Sequence, residues 1–457
     1  MGNYYDTPLF FEKERISHFI PEGTSYEYLR VPKTDYLKEE EIEKSLIEAI
    51  ENPLDSSSLK DLVDSNYLGN HVTLIIDDHT RPNIHTRVLV PILEQILISY
   101  GVKKKDIRLM VATGTHPPPT DSQIQDYILG NLYSEWKERL WLHNCDVDKN
   151  HIDLGISAAT TPILIEKKVY DSDIIIPLSD CEYHYFAGVA GSVKLILPGI
   201  SHRKTVRTNH SRIFDLNTGF RAQCRMGNIK GNVSIQDIRE IVTIIQKKHL
   251  KTIFVIDAVL DKGNFVNIYA GAPIAIHDNS LAKLSKIRDV KLRNLGDLVI
   301  VGKPSVNYYQ AGKGVNSASH AVKEGGTILL FAGCPEGIGP SDYLETMKIV
   351  KNKPYTEAMQ WIITNKCSET TFEIGIQNAV DLFRILKMTK GNLYLYSPFL
   401  DEDLMKEVFH VDMLPKGSPE KEVRQFVKEF LSNNQNAHIV VFEDSNLLSM
   451  KYLNSKT

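Results

Sequence analysis

The sequence predicts an α/β protein of two domains, each a mainly parallel sheet covered by helices, with the active site in the cleft between them. Three observations predict this class. Short apolar runs rich in β-branched residues alternate with segments of helical period. The runs are apolar at consecutive positions, as strands covered on both faces require. And 457 residues are more than one hydrophobic core organises, so the chain should divide.

Taken in order, strands are expected at residues 71–77, 107–112, 173–178, 252–259, 298–302, 327–332, 393–396 and 438–442. Between them, residues 87–100 (RVLVPILEQILISY), 234–248 and 377–388 repeat apolar side chains at helical spacing, and 421–431 does so near the end. Residues 286–297 (KIRDVKLRNLGD) are charged and poor in strand formers, and read as the junction. The expected domains are 1–290, carrying cofactor and catalytic groups, and 291–409. Residues 410–457 would pack back on the first.

Composition narrows the function. With 53 basic and 57 acidic side chains, net charge is −4, which suggests neither nucleic acid nor an anionic membrane as partner. Five scattered cysteines, none in CxxC spacing, argue against a disulfide framework and a structural zinc site. MGNYYDTPLF has no basic stretch followed by an apolar one, and no apolar run is long enough to span a bilayer. A cytoplasmic protein is the expectation.

Ligands of a parallel α/β sheet bind beyond the carboxyl ends of its strands, and most polar clusters here follow an expected strand. The first is Asp77-Asp78-His79-Thr80-Arg81-Pro82. Arg81 can fork two hydrogen bonds onto a carboxylate or phosphate, although DDHTRP is equally a helix N-cap. The second, Thr113-Gly114-Thr115-His116-Pro117-Pro118-Pro119, is a proline-stiffened loop presenting one histidine, as a general base would be held. The third, CEYHYFAGVAGSVKLILPGISHRKTVRTNH, runs from Cys181 to His210. His184, Lys194 and His210 lie 10 and 16 residues apart, and Gly188 and Gly191 sit in a small-residue run that lets backbone approach a ligand. Lys194, among apolar neighbours, is placed for desolvation and use as a nucleophile. The fourth, Asn307-Tyr308-Tyr309-Gln310-Ala311-Gly312-Lys313-Gly314, reads as a Gly-rich turn with Gln310 and Lys313 set to meet an anion. It lacks the GxxxxGK[ST] spacing of a phosphate loop.

Together, and in this order, DDHTRP, TGTH, HYFAGVAGSVKLILPG, Asn209-His210 and YQAGKG resemble the lactate racemase family, the nickel-pincer-nucleotide enzymes. The resemblance spans most of the chain. It implies a pyridinium-3-thioamide-5-thiocarboxylic acid mononucleotide tethered to Lys194, with nickel held by the nucleotide and His210. It implies His116 and His184 as acid/base groups, Arg81 and Lys313 near the substrate, and Asp78 and Gln310 on the cofactor side. The implied partners are a small-molecule 2-hydroxy acid and the enzymes that make the cofactor; a homo-oligomer is compatible. Two departures stand out. The family often has glycine where this chain has Ser192, and arginine where it has Pro117. The second bears on the substrate rather than the reaction.

The implied activity is racemisation or epimerisation at C2 of a 2-hydroxy acid, by proton-coupled hydride transfer through a 2-oxo acid. Three other readings remain open on the residues themselves. One is a C2 epimerase of sugar acids with the same cofactor. Another is a carrier of nickel or nucleotide that does no chemistry. The last is a zinc hydrolase using His116, His184 and His210.

Overall fold

The computed structural model describes residues 3–12 and 14–451. The chain divides into two compact units: Thr34–Ile213 with Gln223–Lys286, and Met1–Lys33 with Phe214–Ala222 and Ile287–Thr457. The division at 286/287 lies beside the expected junction. The terminal segments differ from expectation, because both belong to the second unit. Strand Ser25–Leu29 explains this, since it pairs in parallel with His438–Phe442.

In the first unit the main sheet has the strand order Asn264–Gly271, Val255–Asp261, Ile174–Asp180, Val72–Asp77, Ile107–Ala112, Leu140–Leu142. All neighbours run parallel except the first pair, an antiparallel hairpin. Both faces are buried, as the unbroken apolar runs require. Val72, Leu74 and Ile76 enter one core while Ile75 enters the other. Ile174 and Ile176 against Ile175, and Leu109 and Val111 against Met110, repeat the alternation. Helix Ile84–Ser99 covers the first face, and helix Val233–Lys247, with Ile235, Ile238, Ile241 and Val242 facing inward, covers the second.

The second unit holds a six-stranded, wholly parallel sheet in the order Asp412–Met413, Leu393–Tyr396, Val322–Phe331, Gly296–Gly302, His438–Phe442, Ser25–Leu29. Leu298, Ile300, Leu329, Phe331, Ile439 and Val441 form its core with Leu9, Phe11 and Phe19 from the chain start and Val423 and Val427 of helix Pro419–Asn433. The supposed strand-poor junction contains strand Asp289–Leu292, paired in parallel with Leu448–Lys451. Among the described residues no helix is long and apolar enough to cross a membrane.

Candidate functional site

Three adjacent strands of the first unit, Ile174–Asp180, Val72–Asp77 and Ile107–Ala112, deliver three of the four clusters singled out in the sequence from their carboxyl ends. After Val72–Asp77 the chain folds back on itself. Asn83, at φ +54°, donates from its side-chain amide to the carbonyls of Asp78 and Arg81. Asp78 is buried; its Oδ1 accepts from the Thr80 amide at 3.0 Å and hydroxyl at 2.6 Å. Its Oδ2 lies 2.6 Å from Nδ1 of His116. Burial would raise the Asp78 carboxyl. His116, the Thr80 hydrogen bond and the Arg81 charge overcome it and hold the group well below the usual carboxylate range. An ionised Asp78 takes the His116 Nδ1 hydrogen and leaves a lone pair on Nε2, the arrangement of a general base with an orienting carboxylate. Asp78 therefore partners the histidine, beyond the cofactor-side role the resemblance implies.

The His116 loop is tied to the lysine segment by its backbone. The Gly114 amide donates to the Gly199 carbonyl at 2.9 Å, and a Cβ at Gly114 would lie 3.4 Å from the Pro198 ring. Thr113 Oγ1 donates to the His143 carbonyl at 3.1 Å. His184 lies on the short hairpin Tyr183–His184 with Gly188–Val189. Its Nδ1 accepts the Ala187 amide hydrogen at 3.2 Å. A nitrogen that accepts is unprotonated, so the neutral ring carries its hydrogen on Nε2. The two imidazoles are thus set differently: His116 rests as an acceptor and His184 as a donor.

Phe186 joins the remaining groups. Its ring lies 4.4 Å from that of His184 and 5.2 Å from that of His210, with the Lys194 Nζ 5.4 Å from its centroid. Lys194 keeps partial solvent access, yet its surroundings desolvate the amine and push it down to about 7, with the Arg81 charge adding to the fall. His210, on helix Arg203–Ser211, is buried and pushed down to about 3, first by burial and then by the Lys194 charge. It is neutral at physiological pH. Its Nδ1 stands 3.1 Å from Asn209 Oδ1. Asn209 is fixed in turn by Ser234 and by Asp237, which also accepts from Ser157 and Thr161. Donation from Nδ1 to Asn209 directs the lone pair to Nε2, as a metal ligand needs. A neutral amine and a neutral imidazole around one phenyl ring therefore fit the tether and nickel ligand of a pincer nucleotide.

A charged amine is inert toward acylation, so the Lys194 amine should become reactive as pH rises through about 7, against 10.5 for ordinary lysines. Cofactor-free protein treated with limiting acetic anhydride at pH 7.5 should be acetylated first at Lys194, as read by peptide mass mapping.

Gly188 and Gly191 meet protein where close approach of a ligand was expected. A Cβ at Gly188 (φ +86°) would lie 2.2 Å from the Asn228 carbonyl oxygen, and one at Gly191 (φ +106°) 3.0 Å from Asp257 Oδ2. Gly188→Ala should destabilise the fold by about 1–3 kcal/mol from backbone strain alone, with the clash adding to it; thermal denaturation checks this. Asp257 is a residue that sequence reading missed. It is fully buried, accepts the Ser192 amide at 3.0 Å, and is pushed up to about 6 by burial. A lone acid inside the apolar run TIFVIDAVL was its signal. His277 is also fully buried and is pushed down to about 3 by burial and then by the Arg239 charge, with Lys194 a minor contributor.

Gln310 and Lys313 lie in the second unit. They are not on a turn: both sit in helix Tyr308–Ser319, whose N-cap Asn307 accepts from the Gln310 amide at 3.1 Å. Gly312 and Gly314 are helical, and neighbours leave little room for a side chain there; a Cβ at Gly314 would lie 3.0 Å from Lys303. The three-residue spacing puts Gln310 and Lys313 on one helix face. His116, His184 and His210 are not among the groups of described residues whose ligand atoms converge on one point.

Residues 11–220 match the lactate racemase N-terminal domain, and residues 297–442 match the lactate racemase C-terminal domain. The chain belongs to the lactate racemase family. Among relatives in this family, the lactate racemase of Lactiplantibacillus plantarum is 30% identical over 318 residues, 68% of this chain and 69% of the relative. That of Thermoanaerobacterium thermosaccharolyticum is 26% identical over 368 residues, 79% and 81% of the two chains. The solved lactate racemase apoprotein from T. thermosaccharolyticum has the same fold, with a TM-score of 0.80 at 23% identity over 98% of this chain and all of that one. A Thermotoga maritima protein shares the fold more distantly, with a TM-score of 0.65 at 15% identity over 92% of this chain and all of that one.

Proposed function

We propose that this member of the lactate racemase family inverts the C2 centre of a 2-hydroxy acid, using a nickel-pincer nucleotide tethered to Lys194. As a lactate racemase homologue the protein is an isomerase. One observation carries the finer reading: the desolvated amine of Lys194 and the neutral, Asn209-backed imidazole of His210 both pack on Phe186. When bound, the nucleotide supplies a site that takes a hydride from C2 and returns it.

The residues of the chain do the rest. His116, with Asp78 fixing its tautomer, accepts the hydroxyl proton at Nε2 as the C2 hydrogen departs, and the 2-oxo acid forms. An imidazolium so formed is stabilised by the ionised Asp78. His184 donates from Nε2 to the substrate oxygen and steadies it. Accepting a proton there for the opposite enantiomer requires its ring to leave the Ala187 amide. Arg81 holds the substrate carboxylate while the planar 2-oxo acid turns, and Lys313 is proposed as a second cation for that group. Gln310 is assigned to the cofactor.

The test is chiral analysis of single-enantiomer 2-hydroxy acids, lactate first and aldonic acids alongside, incubated with protein co-expressed with the nucleotide-making enzymes. Inversion of any 2-hydroxy acid, with an adduct on Lys194 in the intact mass, supports the reading. An unmodified chain that still racemises would refute it.

A further inference from the structure

A second group of ligating side chains, sharing no residue with the Lys194–His210 site, lies on the same unit. His143 follows strand Leu140–Leu142 and is fully buried. His151 and Glu166 are directly opposed across the hairpin His151–Ile156 with Pro162–Glu166, and Glu166 is also buried. One ligand atom from each of the three lies within 4.8 Å of the other two. We propose that His143, His151 and Glu166 bind a divalent ion of the zinc type, at a site separate from the nickel centre.

The hydrogen positions carry the argument. The His143 Nε2 stands 3.2 Å from the Ser201 carbonyl oxygen, which can only accept. Its hydrogen therefore belongs on Nε2, and Nδ1 turns a lone pair toward Glu166 Oε2 at 3.3 Å. Two electron-rich atoms face each other there, so a cation belongs between them. The His151 Nδ1 likewise faces a carbonyl, that of Val147 at 3.0 Å, which leaves the lone pair on Nε2. That Nε2 is buried and has no hydrogen-bond partner among the described residues. A proton between His143 and Glu166 would satisfy two of these three donors; a metal ion satisfies all three. Each imidazole donates its other N–H to a backbone carbonyl, the support that fixes metal-binding histidines elsewhere.

The dimensions agree. Two ligands about 2.0 Å from a tetrahedral zinc ion stand roughly 3.3 Å apart, which is the His143–Glu166 separation. His151, the least buried of the three, is the one that must close on the ion. His202, whose ring lies 4.9 Å from that of His151, is engaged otherwise, through Asp148 at 2.9 Å and the Lys204 amide at 3.1 Å. Two imidazoles and one carboxylate suit zinc, leaving a fourth position for water. The ion would fasten a strand end, the hairpin and the Ser201 carbonyl, two residues before the helix that carries His210.

The experiment uses full-length cofactor-free protein, made without the nucleotide-making enzymes and stripped with a chelator, so that it stands apart from the racemase assignment. Zinc is titrated against a chromophoric zinc indicator, and Tm is followed in parallel. One equivalent should bind and raise Tm. His151→Ala and Glu166→Gln should each weaken binding at least tenfold and abolish the rise, whereas Lys194→Ala and His210→Ala should change neither. Should Glu166→Gln fail to fold, His151→Ala, at a half-buried position, decides alone. No uptake by wild-type protein would overturn the proposal. So would equal uptake by His151→Ala, or uptake lost in His210→Ala.

Discussion

Lys194→Ala is expected to abolish racemisation while leaving a folded protein. The amine lies in a desolvated setting beside Phe186 and has no ion pair among the described residues to sacrifice. Its removal relieves a desolvated polar group of its burial cost, so cofactor-free Lys194→Ala should melt at or slightly above the wild-type Tm. Activity should fall to the assay background, a larger loss than for any other single substitution, because the tether goes with the side chain. Intact mass should show no adduct after co-expression with the nucleotide-making enzymes. Lys194→Arg separates charge from nucleophile: it keeps a cation and should be equally inactive. Turnover surviving in either variant would remove the basis of the mechanism.

Replacing His116 should lower kcat on the order of a hundredfold or more, as loss of a general base does. Asp78→Asn tests the pairing that orients it. The amide cannot stabilise an imidazolium and can favour the wrong tautomer, so a fall of about 10–100-fold is expected, the usual cost of losing an orienting partner. In both variants KM should change less than kcat, because neither residue is assigned to the substrate carboxylate. Arg81→Lys should show the opposite split, since a point charge cannot fork two bonds onto a carboxylate. Steady-state kinetics in both directions read all three. Equal losses in kcat for Asp78→Asn and His116→Ala, with KM raised in each, would argue instead for a collapsed site.

The central strands were legible because burial on both faces leaves an unbroken apolar run. Residues 107–112, 393–396 and 438–442 are strands at those bounds. The edges were not, because an edge strand has one covered flank and looser composition. Ser25–Leu29 reads SYEYL and is recognisable only through its partner at 438–442. Helix Tyr308–Ser319 was hidden by Gly312 and Gly314, which are turn formers in isolation and close-packing residues in place. His116, His184, Lys194 and His210 could be singled out in the sequence because each sits in a local cluster with its own chemical logic. Asp257 and the His143–His151–Glu166 group were not. Their meaning arises when a β-hairpin and neighbouring strands bring distant residues together, and no fixed spacing announces that.

The hydrogen bond from Gly114 to Gly199 has a consequence for how such a catalyst can diversify. It ties the loop bearing His116 to the segment bearing Lys194 through main-chain atoms that most substitutions leave in place. The reach between those two chemical tools is thereby inherited unchanged as side chains drift. Exposed side chains beside that tie, Pro117 among them, are free to vary while the spacing beneath keeps its gauge.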